Sequence, residues 1–205
     1  MWTNRDMRGA GWNGARSAFC GIGRGTGILL LGIVAVAAGC GPRAEPIASV
    51  PSPPRLEFVD HDGLLRTVAA QRGRVVVLDC WSTSCPPCVR EFPRLVALEG
   101  KYRGRVACLS LALDFEGLGS MEQAARPVAE FLRKVEAERI VNMLATEEAD
   151  IMYRNLELDS IPAVFVWRPD GSLARRFDAT DSAARLGRPF TYEDVELEVR
   201  ALLGP

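Results

Sequence analysis

The chain has 205 residues, 48% of them hydrophobic, which is enough for one domain with a substantial core. Its formal net charge of −1 lacks the basic excess that marks a nucleic-acid-binding protein. The charge is unevenly placed: ahead of residue 25, Arg5, Arg8, Arg16 and Arg24 face Asp6 alone, whereas from residue 41 onward 21 basic residues face 25 acidic ones.

Residues 28–38 (ILLLGIVAVAA) follow the basic segment. The run is too short for a membrane-spanning helix, which needs roughly 20 apolar residues, and fits the core of a signal peptide. It ends at Ala37-Ala38-Gly39-Cys40. Small residues directly before a cysteine resemble a bacterial lipobox, in which the cysteine is lipidated and becomes the mature N-terminus; Ala37 stands where Leu is usual. The expected organisation is therefore a signal segment over 1–40, lipidation at Cys40, a tether over 41–54 and a folded domain over 55–205. Ordinary cleavage nearby and an uncleaved short anchor are the alternatives, and each implies export. The tether (GPRAEPIASVPSPP) is rich in Pro and has no apolar period, so it reads as a partly polyproline-II spacer.

Residues 55–67 (RLEFVDHDGLLRT) predict a hairpin turning at Asp62-Gly63, with a short helical turn over 68–72. Residues 75–78 form an unbroken apolar, β-branched-rich run, which predicts a strand over 74–81 buried on both faces. Ser-Thr-Ser then turns the chain, and Cys85-Pro86-Pro87-Cys88 opens a helix over 86–102 with Pro93 inside it. A second buried strand is expected over 105–114. Helices follow over 121–138 and 147–156, then a strand over 161–167, a turn at 168–171 and an antiparallel strand over 172–177. Residues 178–189 read as irregular, and Thr191 caps a final helix to 203 with Asp194 as capping-box partner. Strands alternating with helices predict an α/β sandwich.

The Cys-x-x-Cys carries the chemistry. At a strand-to-helix junction the first cysteine sits against unpaired helix N–H groups and partial positive charge, both of which favour a thiolate. The second lies one turn on, near enough to close a disulfide. The alternatives are a structural disulfide or half a metal site. Zinc would need four ligands, and the only His, His61, sits in the expected hairpin turn. Haem attachment would need a His where Val89 stands. An acid inside VVVLDCW, Asp79, would be buried, and burial raises a carboxyl pKa toward the range of a general base. Cys80 and Cys108, on what should be neighbouring strands, read as buried inert thiols, with a second disulfide or a regulatory thiol as the alternative.

Together these residues resemble the thioredoxin fold, and more narrowly the membrane-tethered TlpA/ResA-like thiol-disulfide oxidoreductases, from about residue 54 to 203. Trp81 stands four before Cys85, Pro93 five after Cys88, and Ile161-Pro162 precedes a strand and an Asp-Gly turn. Asp79 matches the buried acid of plain thioredoxins, where many TlpA-like proteins carry Asn. Ser84 departs from the Trp common in that position. The resemblance implies a three-layer sandwich with an N-terminal hairpin and an inserted helix, Cys85 as nucleophile, Cys88 as resolving thiol, Asp79 as proton relay, and a cis Ile161–Pro162 bond facing the dithiol. It places Trp81, Ser84, Pro86, Pro87 and Ile161 among the residues that meet a partner. No cofactor or metal is implied. The partners implied are protein disulfides in the bacterial cell envelope, an upstream membrane reductant, and the membrane itself through Cys40. Two rival readings stand beside this one. A peroxiredoxin-like peroxidase is met by Ser82 but not by Leu78. A copper-binding module would use Cys85 and Cys88 as soft ligands.

Overall fold

A computed structural model describes residues 53–204. The signal-like segment, Cys20, Cys40 and the tether as far as residue 52 lie outside the described residues. The two apolar runs form β2 (Val75–Trp81) and β3 (Val106–Ala112), buried at every position as the sequence predicts for strands covered on both faces. They lie at the centre of a six-stranded sheet with β1 (Leu56–Val59), β4 (Val141–Ala145), β5 (Ala163–Trp167) and β6 (Leu173–Phe177), in the order β1-β4-β3-β2-β5-β6. β1, β4, β3 and β2 run parallel; β5 is antiparallel to β2, and β6 is antiparallel to β5.

Alternation along β2 divides the core in two. Val75, Val77 and Trp81 face one helical layer: α2 (Pro86–Lys101), α3 (Met121–Lys134) and α6 (Tyr192–Leu203). Val76, Leu78 and Cys80 face the other: α1 (His61–Ala69) and α4 (Ala149–Asn155). A short α5 (Ala179–Arg185) follows β6. The result is the three-layer α/β sandwich that the sequence predicts.

The expected N-terminal hairpin is not formed. β1 pairs in parallel with β4, and Asp60-His61-Asp62-Gly63 opens α1 instead of turning the chain. Asp60 is the N-cap: its carboxylate accepts the Gly63 N–H at 2.7 Å. Leu64 and Val68, four residues apart, then bury against the sheet. Two further elements depart from the sequence reading. β4 runs through residues assigned to no element, because its second residue, Asn142, looks unlike a core residue. Asn142 is buried, yet it is satisfied by donating to Ala137 and Ile140 carbonyls and accepting the Ser110 hydroxyl. α5 occupies the stretch read as irregular, and its N-cap Asp178 accepts the Asp181 N–H at 2.8 Å. The segment between β3 and β5 thus carries α3, β4 and α4, where two helices with no strand between them were expected. The turn-forming Asp170-Gly171 and the antiparallel β6 stand where the sequence places them.

Candidate active site

β2 delivers the chain to the Cys85–Cys88 pair. Trp81 ends the strand, and residues 82–84 turn so that Cys85 becomes the N-cap of α2, with Pro86 and Pro87 in the first helical positions. The turn is held from within and from β3. Ser82 Oγ lies 2.9 Å from Ser84 Oγ and accepts the Ser84 N–H at 3.2 Å, while the Cys85 N–H donates to the Ser82 carbonyl. Asp114, just past β3, accepts the Thr83 N–H at 3.0 Å and the Thr83 hydroxyl. Burial pushes the Asp114 carboxyl up, and the Thr83 bonds oppose that. The sequence reading missed Asp114, since an acid at a strand end reads as an ordinary surface residue and its partner is 31 positions away.

Cys85 and Cys88 are joined in a disulfide with Cα atoms 5.3 Å apart, and the Cys88 N–H points at Cys85 Sγ at 3.3 Å. The two sulfurs differ in access: Cys85 is 9% exposed and Cys88 1%. Ser84 and Pro86 flank Cys85 on the exposed surface and Pro87 is half-buried. Among the described residues no group of three or more His, Cys, Asp or Glu could hold a metal ion.

Trp81 was expected among the residues that meet a partner. It is fully buried instead, packed against Phe92 and Phe131 at ring centroid distances of 4.8 and 4.9 Å, so it supports the site from beneath. The Ile161–Pro162 bond is cis. Two clefts meet at Ile161. One, of about 620 Å³, is mostly apolar and brings Pro87 of α2 together with Ile161, Pro162, Pro189 and Phe190. The other, of about 410 Å³, brings Ser82 and Ser84 together with Ile161, Tyr153, Glu116, Glu148 and Asp150. Ser84, Pro87 and Ile161, expected to meet a partner, thus line two adjoining hollows beside the Cys85–Cys88 pair, together with Pro162. His61, read as a turn residue, sits in the first turn of α1 with its N–H donating to Glu147.

Asp79 is buried on β2 and alternates onto the face of the sheet where Val77, Trp81, Cys85 and Cys88 pack. One carboxylate oxygen, Oδ2, accepts the Tyr192 hydroxyl at 2.5 Å, and the other, Oδ1, has no partner among the described residues. Burial lifts the Asp79 carboxyl from 3.8 to about 7, with Tyr192 pulling it down and Glu91 adding to the rise. Cys80 and Cys108 lie on opposite faces of the sheet, so no disulfide can join them, and burial drives both thiols well above the ordinary range.

No protein-family model matches the chain. A solved structure described as a thioredoxin-like superfamily protein superposes with a TM-score of 0.50 at 19% identity, over 67% of this chain and 85% of that one. A thiol:disulfide interchange protein of the thioredoxin family from Chlorobium tepidum gives 0.48 at 17% identity, over 66% and 84%. A secreted Mycobacterium tuberculosis disulfide oxidoreductase, described as homologous to E. coli DsbE, gives 0.47 at 19%, over 65% and 86%. The sheet order, the helical layers and the first of these likenesses make the fold thioredoxin-like.

Proposed function

We propose that the chain is a protein disulfide oxidoreductase that works through the Cys85–Cys88 pair. The observation carrying this reading is the asymmetry of the disulfide, with one sulfur reachable at a helix N-terminus and the other shielded behind it. In the reduced protein the Cys85 thiolate attacks a partner disulfide, forming a Cys85–partner bond and expelling the partner's other sulfur as thiolate. Cys88 then gives its proton to Asp79 and attacks Cys85 Sγ; the partner's remaining sulfur leaves with the electron pair. The partner is reduced by two electrons and Cys85–Cys88 is oxidised. The reverse sequence oxidises a partner dithiol.

The finer reading is that of an exported reductant of specific envelope disulfides, of the kind used in cytochrome c maturation. It is recharged by a membrane reductant and held at the membrane by lipid on Cys40. The lipobox-like segment, the Pro-rich tether and the resemblance to tethered oxidoreductases support it. Ser84, Pro86, Pro87 and Ile161 would meet the partner, with the Ile161 main chain available to an extended segment: among the described residues it makes no backbone hydrogen bond outside the strand ladders and helices.

The direct test is reduction of insulin disulfides with the Cys85→Ser and Cys88→Ser variants. Both lose turnover, and Cys88→Ser alone accumulates a mixed disulfide through Cys85. Full turnover in Cys85→Ser overturns the assignment. For direction, equilibration against glutathione or dithiothreitol buffers should place the pair nearer about −270 mV than about −120 mV; a value at the oxidising end removes the reductant reading.

A further inference from the structure

We infer that Tyr192 is a positioning residue for the dithiol: from the first turn of α6 its hydroxyl holds one oxygen of Asp79, which leaves the other for the proton of Cys88 and sets the pH at which that exchange runs. The inference rests on the proposed role of Asp79 as proton partner of Cys88. It deepens that role by naming what controls it.

The contact spans 113 residues of sequence and closes at 2.5 Å. Tyr192 is 5% exposed and Asp79 2%, so water cannot readily take the place of the phenol. A donor to a carboxylate favours its ionised form. Tyr192 remains a donor throughout the working range, because burial and the Asp79 charge push its own pKa well above the ordinary value. The start of α6 is pinned around it. Asp194 accepts both Arg188 Nη atoms, at 2.8 and 2.7 Å, and the Thr191 N–H at 2.9 Å. Arg188, Phe190 and Thr191 also line the apolar cleft beside Pro87 and Pro162, so the clamp on Tyr192 borders the surface where a partner would sit.

The other groups around Asp79 do not replace the phenol. α2 contributes Glu91, which raises the Asp79 pKa, and the disulfide-bonded Cys88. β3 contributes Ser110, whose hydroxyl is committed to Asn142, and Cys108, a thiol that burial keeps protonated. β5 offers only Val164 in register with Asp79. Cys80, next along β2, faces the opposite layer. Tyr192 is therefore the one group among these that lowers the proton affinity of Asp79.

The test follows the Asp79 carboxyl by NMR titration of the oxidised, isotope-labelled protein, wild type against Tyr192→Phe. The Phe variant keeps the ring in the core and removes the donor. Its midpoint should rise by about one pH unit, a tenfold gain in proton affinity, as expected for losing one hydrogen bond to a charged group. The pH profile of insulin reduction should move in the same direction by the same amount. Incorporation of 3-fluorotyrosine at position 192, a more acidic donor, should move both the opposite way; if Tyr192→Phe does not fold, this variant carries the test. An Asp79 midpoint unmoved by the substitution that folds overturns the inference. An Asp79→Asn protein whose rate profile matches wild type overturns the proton-relay reading instead, and the carboxyl midpoint tells the two failures apart.

Discussion

Asp79 holds a proton near neutrality because burial outweighs its single hydrogen bond, and the consequence reaches beyond catalysis. Its folded value of about 7 lies above the ordinary 3.8, so between those values the native chain keeps a proton that the unfolded chain has released. The stabilisation is whole below the unfolded value and is lost as pH rises to the folded one, by about 4 kcal/mol in all at about 1.36 kcal/mol per pH unit. Asp194, which Arg188 holds down to about 2, acts in the opposite sense and below the ordinary carboxylate value, so the two windows do not overlap. Urea unfolding between pH 4 and 7.5 should show wild-type stability falling with pH and Asp79→Asn falling much less, the remainder coming from Asp114, which burial also raises; a rising wild-type curve would contradict the buried, proton-bound carboxyl. Asp79 was legible in the sequence because an acid stood inside an unbroken apolar run. Tyr192 was not, since nothing local marks an aromatic at a helix start as the partner of a residue 113 positions away.

At the scale of elements, the first turn of α1 shows where local reading failed. Asp-Gly is a strong hairpin signal, but Asp60, two residues before Asp62, supplies a helix cap, and Leu64 and Val68 supply a buried stripe. Helix burial won because β1 already had a partner in β4, which a local reading could not see. Asp60→Ala should cost about 1 kcal/mol of stability, the usual worth of an N-cap, whereas Asp62→Ala should stay within about 0.5 kcal/mol. Chemical denaturation of both variants checks this, and equal losses would restore the turn reading. β2, β3 and α2 were legible because continuous apolar runs and Cys-Pro-Pro-Cys are signals contained in a few residues. β4 was hidden by Asn142, whose hydrogen bonds exist only once β3 and the turn after α3 are in place.

Over the whole molecule, the two clefts that meet at Ile161 divide the neighbourhood of the dithiol into an apolar side and an acidic side. A partner approaching Cys85 meets Pro87, Pro162 and Phe190 on one flank and Glu116, Glu148 and Asp150 on the other. No helix among the described residues is long and apolar enough to cross a membrane. The attachment proposed above is lipid on Cys40. Fourteen residues of polyproline-II tether, at about 3.1 Å each, would reach roughly 40 Å. Cys40→Ala should move the protein from the membrane to the soluble fraction of the envelope while leaving insulin reduction by the purified domain unchanged. Retention of the variant in membranes would show that lipid on Cys40 is not the anchor.

The placement of Cys80 and Cys108 on opposite faces of the sheet has a consequence for oxidative quality control. Three pairings of four cysteines are conceivable on paper. In the folded domain the sheet itself stands between these two thiols, and each is sealed beneath helices. Cys80 lies across the sheet from Cys85 and Cys88 and could be captured by either only if the layers parted. Cys108 shares their face, and its burial is what withholds it from exchange. Protection against wrong disulfides is thus tied to the cooperative stability of the core.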